Sequence, residues 1–409
     1  MQILFVGLNY APEPIGIGPY SAGLAESLAV SGHGVTVVSG NPYYPDWSLA
    51  EGFEQTVSMR EENGVRVVRV PHYIPAQPSG AKRIAHHLSF ARNALRPALA
   101  EVERSRPDCV ITIAPSLLAA PVALAAARKA KAPSWLHIQD FEVEAAVATG
   151  LLSAGPLASV AGRVERNIIK RFDRVSSISA PMVAKAIEKG SDAGRTLELR
   201  NWAEEAGVGG SVSGEALRAE LGLPPGRIAL YSGNLALKQG VGLIADAAEI
   251  LSDRPDCHFV VCGEGSGRAL LEERAGELAN LHLRPLQPRN RLGELLAMAD
   301  IHLLPQIAGA ADLVLPSKLT NMLASGRPVV ATAEEGTALA SEVDGCGLVT
   351  PPGDAEAFAD GVATLLDNDA QRKAQGETAA QRARERWSKP ALVAQFGAEL
   401  EKLAGGNAR

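Results

Sequence analysis

The chain has 409 residues, 46% of them apolar, with a formal charge of −6. That length exceeds one ordinary core, which stops growing at roughly 250 to 300 residues, so two domains are expected. Net acidity argues against a nucleic-acid partner, which leaves a basic footprint, and no apolar run approaches the ~20 residues that a bilayer span needs, so the chain reads as soluble.

MQILFVGL opens the chain. It lacks a basic leader and a small-residue cleavage site, so it reads as a first strand and implies the cytoplasm. PEPIGIGPY follows, and a helix is expected from about Pro19, because proline suits a first helical position whose N–H has no intrahelical partner. Gly16 and Gly18 between them allow close backbone approach to a ligand, and the free N–H groups of a helix start favour an anion. The spacing is not the dinucleotide G-x-G-x-x-G pattern, and no acidic residue ends the second strand, VTVVSG. An ordinary strand-to-helix turn stays open as the alternative.

Further strands are predicted at VTVVS, VRVVRV, CVITIA, WLHI and RVSSIS, each separated by a helical pattern. This alternation marks a parallel, doubly wound α/β sheet. Residues 81–96, AKRIAHHLSFARNALR, predict a helix. On it Ile84, Leu88 and Leu95 share one face, and Lys82, Arg83, His86 and His87 lie opposite with Phe90 among them. An aromatic ring amid bases on a solvent face suits an anionic bilayer surface; a basic surface helix with one stray phenylalanine is the other reading. At the end of strand WLHI stand His137, an acceptor-side candidate whose place inside the strand favours a packed core histidine, and Asp140, the favoured proton acceptor or else a helix N-cap.

EEAGVGGSVSGEALRAELGLPPG reads as a linker, after which the alternation resumes with IALYSG, HFVVCG, LHLRP, DIHLLP, PVVAT and GLVT. Two domains follow, 1–203 and 204–387, with 388–409 a helix that packs back on the first. Residues 1–205 carry 21 Lys plus Arg against 20 Asp plus Glu, and the remainder 19 against 26. Cys109, Cys257, Cys262 and Cys346 form no C-x-x-C pair and read as buried reduced thiols.

Three segments of the second domain carry chemistry. In YSGNLALKQGVG, Gly233 and Asn234 make a turn and Lys238 precedes a helix near Gly240, a cation beside a helix start that suits a diphosphate. In HFVVCGEGSG, Gly263 and Gly265 flank Glu264 at a strand end. In PSKLTNMLASGRPVVAT, Pro316 starts a helix with Ser317 and Lys318 in its first turn, Asn321 one turn on and Gly326 as its stop. A lysine there opposes the helix dipole unless an anion neutralises it, and such a break of a local rule marks a functional candidate.

In order, PxxGxGxY, YSGN with KQG, VVCGEG, ADIHLLP and PSKLTNMLASGRPVVAT resemble the retaining glycosyltransferases of family 4 over nearly the whole chain. The opening segment and LHIQDFEVEAAVATGLL are most similar to the branch acting in colanic acid and related exopolysaccharide synthesis, which is fucosyltransferase-like. The resemblance implies a GT-B fold, two facing Rossmann-like domains with the cleft between them. It also implies transfer of a sugar from a nucleotide-sugar donor, GDP-fucose favoured, to an undecaprenyl-diphosphate-linked saccharide. It places Lys238 at the family's diphosphate-binding lysine and Gly16 to Gly18 in the loop closing over the donor phosphates. Gly263 and Glu264 fall near the base, Ser317 and Lys318 at the helix facing the phosphates, and Asp140 at an acidic position of the acceptor side. Two departures stand out: Asn234 replaces the usual arginine, and Asn321 falls on a glutamate that generally binds ribose, while Asp312 is the nearest acidic choice for that motif's first glutamate. No metal and no resident cofactor are expected, because cations and helix starts stabilise the leaving diphosphate. A sugar-nucleotide epimerase of the same fold and a non-catalytic nucleotide-binding protein are the competing readings; the motif segments offer few of the carboxylates and histidines an epimerase would gather.

Overall fold

The computed structural model describes residues 1–14, 16–142, 155–203, 212–236, 239–307 and 315–405. The chain divides into two compact units, Met1–Asn201 with Pro390–Arg409, and Trp202–Lys389.

In the first unit the described residues form β1 (Gln2–Gly7), β2 (Gly34–Gly40), β3 (Ser58–Glu62), β4 (Val65–Val70), β5 (Cys109–Ala114), β6 (Ser134–Ile138), β7 (Arg174–Ser177) and β8 (Thr196–Glu198). Their order across the sheet is β3-β4-β2-β1-β5-β6-β7-β8. Ile3 to Val6 are all buried, as is every residue of β5, because helices cover both faces of a parallel sheet. The exception to parallel pairing is β3, antiparallel to β4. Asn63 and Gly64, both at positive φ, turn the chain between them as tight hairpins require. The predicted strands omitted β3 and β8: SMREE and TLE are short and polar, and carry no apolar run to announce them.

β1 lies between β2 and β5, so the chain winds outward on one side and then returns to wind outward on the other. Loops at the carboxyl ends of the strands flanking such a reversal form the usual ligand crevice. Here they are the loop after β1, holding Gly16 and Gly18, and the loop after β5. The Gly18–Val30 helix begins at the predicted place, with Pro19 in its first turn.

The second unit repeats the design with β9 (Arg227–Ser232), β10 (Cys257–Cys262), β11 (Leu281–Arg284), β12 (Ile301–Leu304), β13 (Val329–Thr332) and β14 (Gly347–Thr350). Their order is β11-β10-β9-β12-β13-β14, and all pairs are parallel. The reversal falls between β9 and β12. Its core gathers Phe259, Val261, Ile301, Leu303 and Phe358.

The Lys389–Gly405 helix packs within the first unit: the Phe396 ring stacks on Trp135 at 4.3 Å and 8°, and Arg174 meets Glu399 at 3.5 Å. All four cysteines are buried and free. Among the described residues no helix is long and apolar enough to cross a membrane.

The helix predicted over 81–96 runs from Gly80 to Ser105, and its phase is the reverse of that expected. His86, Phe90, Ala94 and Ala98 recur every four residues and are fully buried, whereas Ile84 and Leu88 are about half exposed (51% and 50%) and Leu95 is exposed. Alanines let the helix approach the sheet closely, so the stripe with small residues wins the interior over the stripe with larger aliphatics. Phe90 packs with Leu4, Val38 and Val68 and cannot serve as an interfacial anchor. Lys82 remains exposed, while Arg83 lies over the Trp47 ring at 5.1 Å.

Candidate functional site

In the second unit, β9 delivers Tyr231 to the carboxyl edge of the sheet beside β12, and the loop that follows turns at Gly233, φ +126°. A Cβ on Gly233 would stand 2.7 Å from Lys318 Cε, and one on Gly263 would stand 1.9 Å from the Gly233 carbonyl oxygen. Only glycine lets the loops after β9 and β10 lie this close. Gly233 N–H donates to Cys262 O at 2.9 Å and Leu235 N–H to Glu264 O at 2.8 Å, which locks the loops together.

The Ser317–Ala324 helix starts at Pro316 and brings Lys318 to this edge. Its ammonium donates to Tyr231 Oη at 2.5 Å, to Gln239 Oε1 at 3.1 Å and to the Asn234 carbonyl at 3.4 Å. It also lies over the Tyr231 ring, 4.2 Å from the centroid. The Tyr231 hydroxyl is itself within 2.7 Å of Asn234 O and 2.8 Å of Gln239 Oε1. Burial pushes the lysine down to about 8 and the phenol up. Lys318 and Gly233 are thus brought together, with the backbone of Asn234. Ser317 is exposed at the helix start and Asn321 is half-buried one turn on. Glu264 is exposed and pairs with Arg268 at 2.9 Å. Lys238 and Asp312 lie outside the described residues.

In the first unit, the loop carrying Gly16, φ +74°, and Gly18 is pinned by a residue that sequence reading passed over. The Glu13 carboxylate is buried and accepts from Asn9 Nδ2 at 2.9 Å, from Tyr43 N–H at 3.2 Å and from Tyr44 N–H at 3.3 Å. It ties the loop after β1 to the loop after β2, and burial raises its pKa. A Cβ on Gly18 would meet Glu13 Cβ at 2.9 Å, so this glycine is needed for the latch itself.

His137 is an interior residue of β6, not an acceptor-side group. Its Nδ1 pairs with Ser176 Oγ at 2.8 Å and its Nε2 with the Gln139 amide at 3.2 Å, and burial lowers it to about 4. Gln139 and Asn201 exchange amide hydrogen bonds at 2.9 and 2.7 Å beyond it. Asp140 is exposed just past the end of β6. Glu142, which the sequence did not single out, accepts from Ser116 N–H at 2.8 Å and Leu117 N–H at 2.7 Å, holding the loop after β5. His87 approaches the same carboxylate at 3.4 Å. Lowered to about 4 by burial, His87 is neutral at pH 7.

Comparison with known proteins identifies the family. Residues 16–202 match the glycosyl transferase 4-like domain and residues 214–382 match glycosyl transferases group 1. The chain is 41% identical over 377 residues, 90% of its length and 92% of the relative's, to the Escherichia coli (strain K12) protein named "Putative colanic acid biosynthesis glycosyl transferase WcaI". It is 32% identical over 182 residues to D-inositol 3-phosphate glycosyltransferase of Corynebacterium glutamicum (strain R), covering 42% of each chain. Among solved structures, sucrose-phosphate synthase from Thermosynechococcus elongatus superposes with a TM-score of 0.71 at 19% identity, covering 99% of this chain and 100% of that one. HepE of Anabaena, solved with UDP-glucose, gives 0.69 at 17% identity, covering 98% and 100%. These structural likenesses carry the GT-B fold, and the family matches carry the activity class. The chain belongs to the glycosyltransferases of family 4, as a transferase of the colanic-acid type.

Proposed function

We propose that the protein is a retaining glycosyltransferase that moves a sugar from a GDP-sugar, GDP-fucose favoured, to an undecaprenyl-diphosphate-linked saccharide in exopolysaccharide synthesis. The observation that carries the donor half is the Lys318 ammonium, set among neutral oxygens at the reversal of the second sheet. A cation fixed there stabilises the charge that develops on a leaving diphosphate. Gly233, Asn234, Gly263, Glu264, Ser317 and Asn321 stand on the same strand ends and helix start, and Lys238 completes the donor set on the strength of its family match. In this reading no metal takes part.

In the first unit Asp140 is assigned as the group that takes or relays the acceptor's proton, and Gly16 and Gly18 are assigned to a phosphate-binding loop on the strength of the family resemblance. The choice of GDP-fucose rests on resemblance to the colanic-acid branch. Transfer assays with GDP-fucose, GDP-mannose, UDP-glucose and UDP-GlcNAc test it: turnover with GDP-fucose alone is expected, and turnover with a UDP-sugar alone would replace the base and the sugar.

A lipid-linked acceptor calls for contact with the inner face of a membrane, and the Gly80–Ser105 helix offers a surface for it. Ile84, Leu88 and Leu95 are exposed beside Lys82, Arg92 and Arg96, and no acidic residue precedes Glu101 on that helix. Apolar side chains enter the interfacial region while bases meet anionic headgroups, each worth about 1 kcal/mol near the surface. Cosedimentation with phosphatidylglycerol vesicles, but not with phosphatidylcholine vesicles, is expected. Leu88→Ser with Arg92→Glu should abolish it, and equal sedimentation of that variant would count against this face.

A further inference from the structure

We infer that Tyr231 and Gln239 are positioning residues that hold the Lys318 ammonium for the diphosphate of a nucleotide, with the ligand supplying the counter-charge that no described residue supplies. The inference rests on the donor reading above for the identity of the ligand and on geometry for the rest.

Many cations among the described residues meet carboxylates: Arg227 meets Asp300 at 3.0 Å, Arg66 meets Glu101 at 3.0 Å, and Lys189 pairs with Glu165. Lys318 is different. Its three N–H groups find a phenol, a side-chain amide and a peptide carbonyl, and among the described residues no carboxylate reaches it. Glu264, in the adjoining loop, is turned to Arg268, which also engages Glu272.

The holding groups are themselves fixed. Tyr231 is buried in β9, in register with Val261, and its hydroxyl bonds to the other two oxygens of the set. Gln239 is set by its own N–H donating to Ala236 O at 2.8 Å. A neutral cradle keeps the lysine in one place without neutralising it, as binding an anion requires. A carboxylate at either position would satisfy the cation and compete with the ligand. Desolvation without a partner is also why the ammonium is held near 8, below the ordinary lysine range.

The sign of the pH effect follows. The ligand binds the charged form, so affinity is full below pH 8 and falls as the ammonium loses its proton above it. In calorimetric titrations of the whole protein with GDP, UDP and inorganic pyrophosphate between pH 7 and 9.5, affinity should fall by about tenfold per pH unit above 8. Gln239→Glu, nearly isosteric, should weaken binding tenfold or more at pH 7 and erase that step. Tyr231→Phe should weaken binding severalfold and move the step. Lys318→Met should leave weak, pH-independent binding and yet raise the thermal midpoint of the unliganded protein, since a half-buried charge with no carboxylate partner among the described residues is removed.

Unchanged affinity in Gln239→Glu and Tyr231→Phe would overturn the positioning role. A lowered midpoint with unchanged affinity in Lys318→Met would make the lysine structural. If these diphosphates bind as described while no sugar nucleotide is turned over, the transferase donor reading fails and the cradle stands.

Discussion

Asp140 and Lys318 illustrate two ways in which a single residue announces chemistry. Lys318 stands in the first turn of its helix, where a positive charge opposes the local dipole, and that conflict is visible in the sequence. Asp140 is exposed at a strand end, where loops carry function. Replacing it by Asn keeps size and polarity but removes the proposed proton acceptor, so transfer should fall by 10² to 10⁴, roughly the usual worth of general base catalysis, while donor affinity by calorimetry stays the same. Unchanged turnover would remove it from the reaction. Tyr231 and Gln239 were not legible in this way, because a tyrosine ending a strand and a glutamine in a turn break no local rule; their role exists only in the arrangement around the Lys318 ammonium. Glu13 and Glu142 escaped for the same reason. Each serves backbone N–H groups far away in sequence, at Tyr43 and Tyr44 for one and at Ser116 and Leu117 for the other. His137 shows the converse: a histidine inside an apolar strand is a packed residue whose polar atoms are matched within the core.

Elements with one apolar stripe were read from the sequence without difficulty, and elements with two were not. The buried strands of both sheets are short β-branched runs. The Gly80–Ser105 helix carries competing stripes, and counting bulk favoured Ile84, Leu88 and Leu95, whereas close packing favoured His86, Phe90, Ala94 and Ala98. The two choices differ sharply in their thermodynamic consequence. Phe90→Ala should lower stability by about 3 to 5 kcal/mol, and Ile84→Ser should change it by no more than about 0.5 kcal/mol, both read from urea midpoints. A costly Ile84→Ser with a silent Phe90→Ala would restore the opposite phase. Strands β3 and β8 were missed because edge strands need little hydrophobicity, and Asn63-Gly64 was the overlooked signal for the first of them.

Across the whole molecule, burial holds several imidazoles neutral: His72 and His302 are lowered to about 3, and His86, His87 and His137 to about 4. In the unfolded chain these groups titrate near pH 6.5. Between that value and about pH 4 the unfolded state therefore takes up protons that the native state refuses, so stability present at neutral pH is lost on acidification. Each such group steepens the loss by up to about 1.4 kcal/mol per pH unit. Urea midpoints should fall markedly from pH 7 to pH 5, and His86→Asn should flatten the fall; a flat wild-type profile would contradict it. At this scale the two-domain, doubly wound plan was readable because alternation of short strands and helices recurs on either side of a glycine-rich break. The destination of the Lys389–Gly405 helix was hinted at by its amphipathic pattern, and Phe396 on Trp135 shows where it goes. That stack has a consequence for how the protein is made. The unit synthesised first leaves one flank of β6 open while the ribosome produces the whole of the other, and closes it only when Phe396 emerges, so a premature stop after residue 388 would injure the earlier-made half and spare the later one.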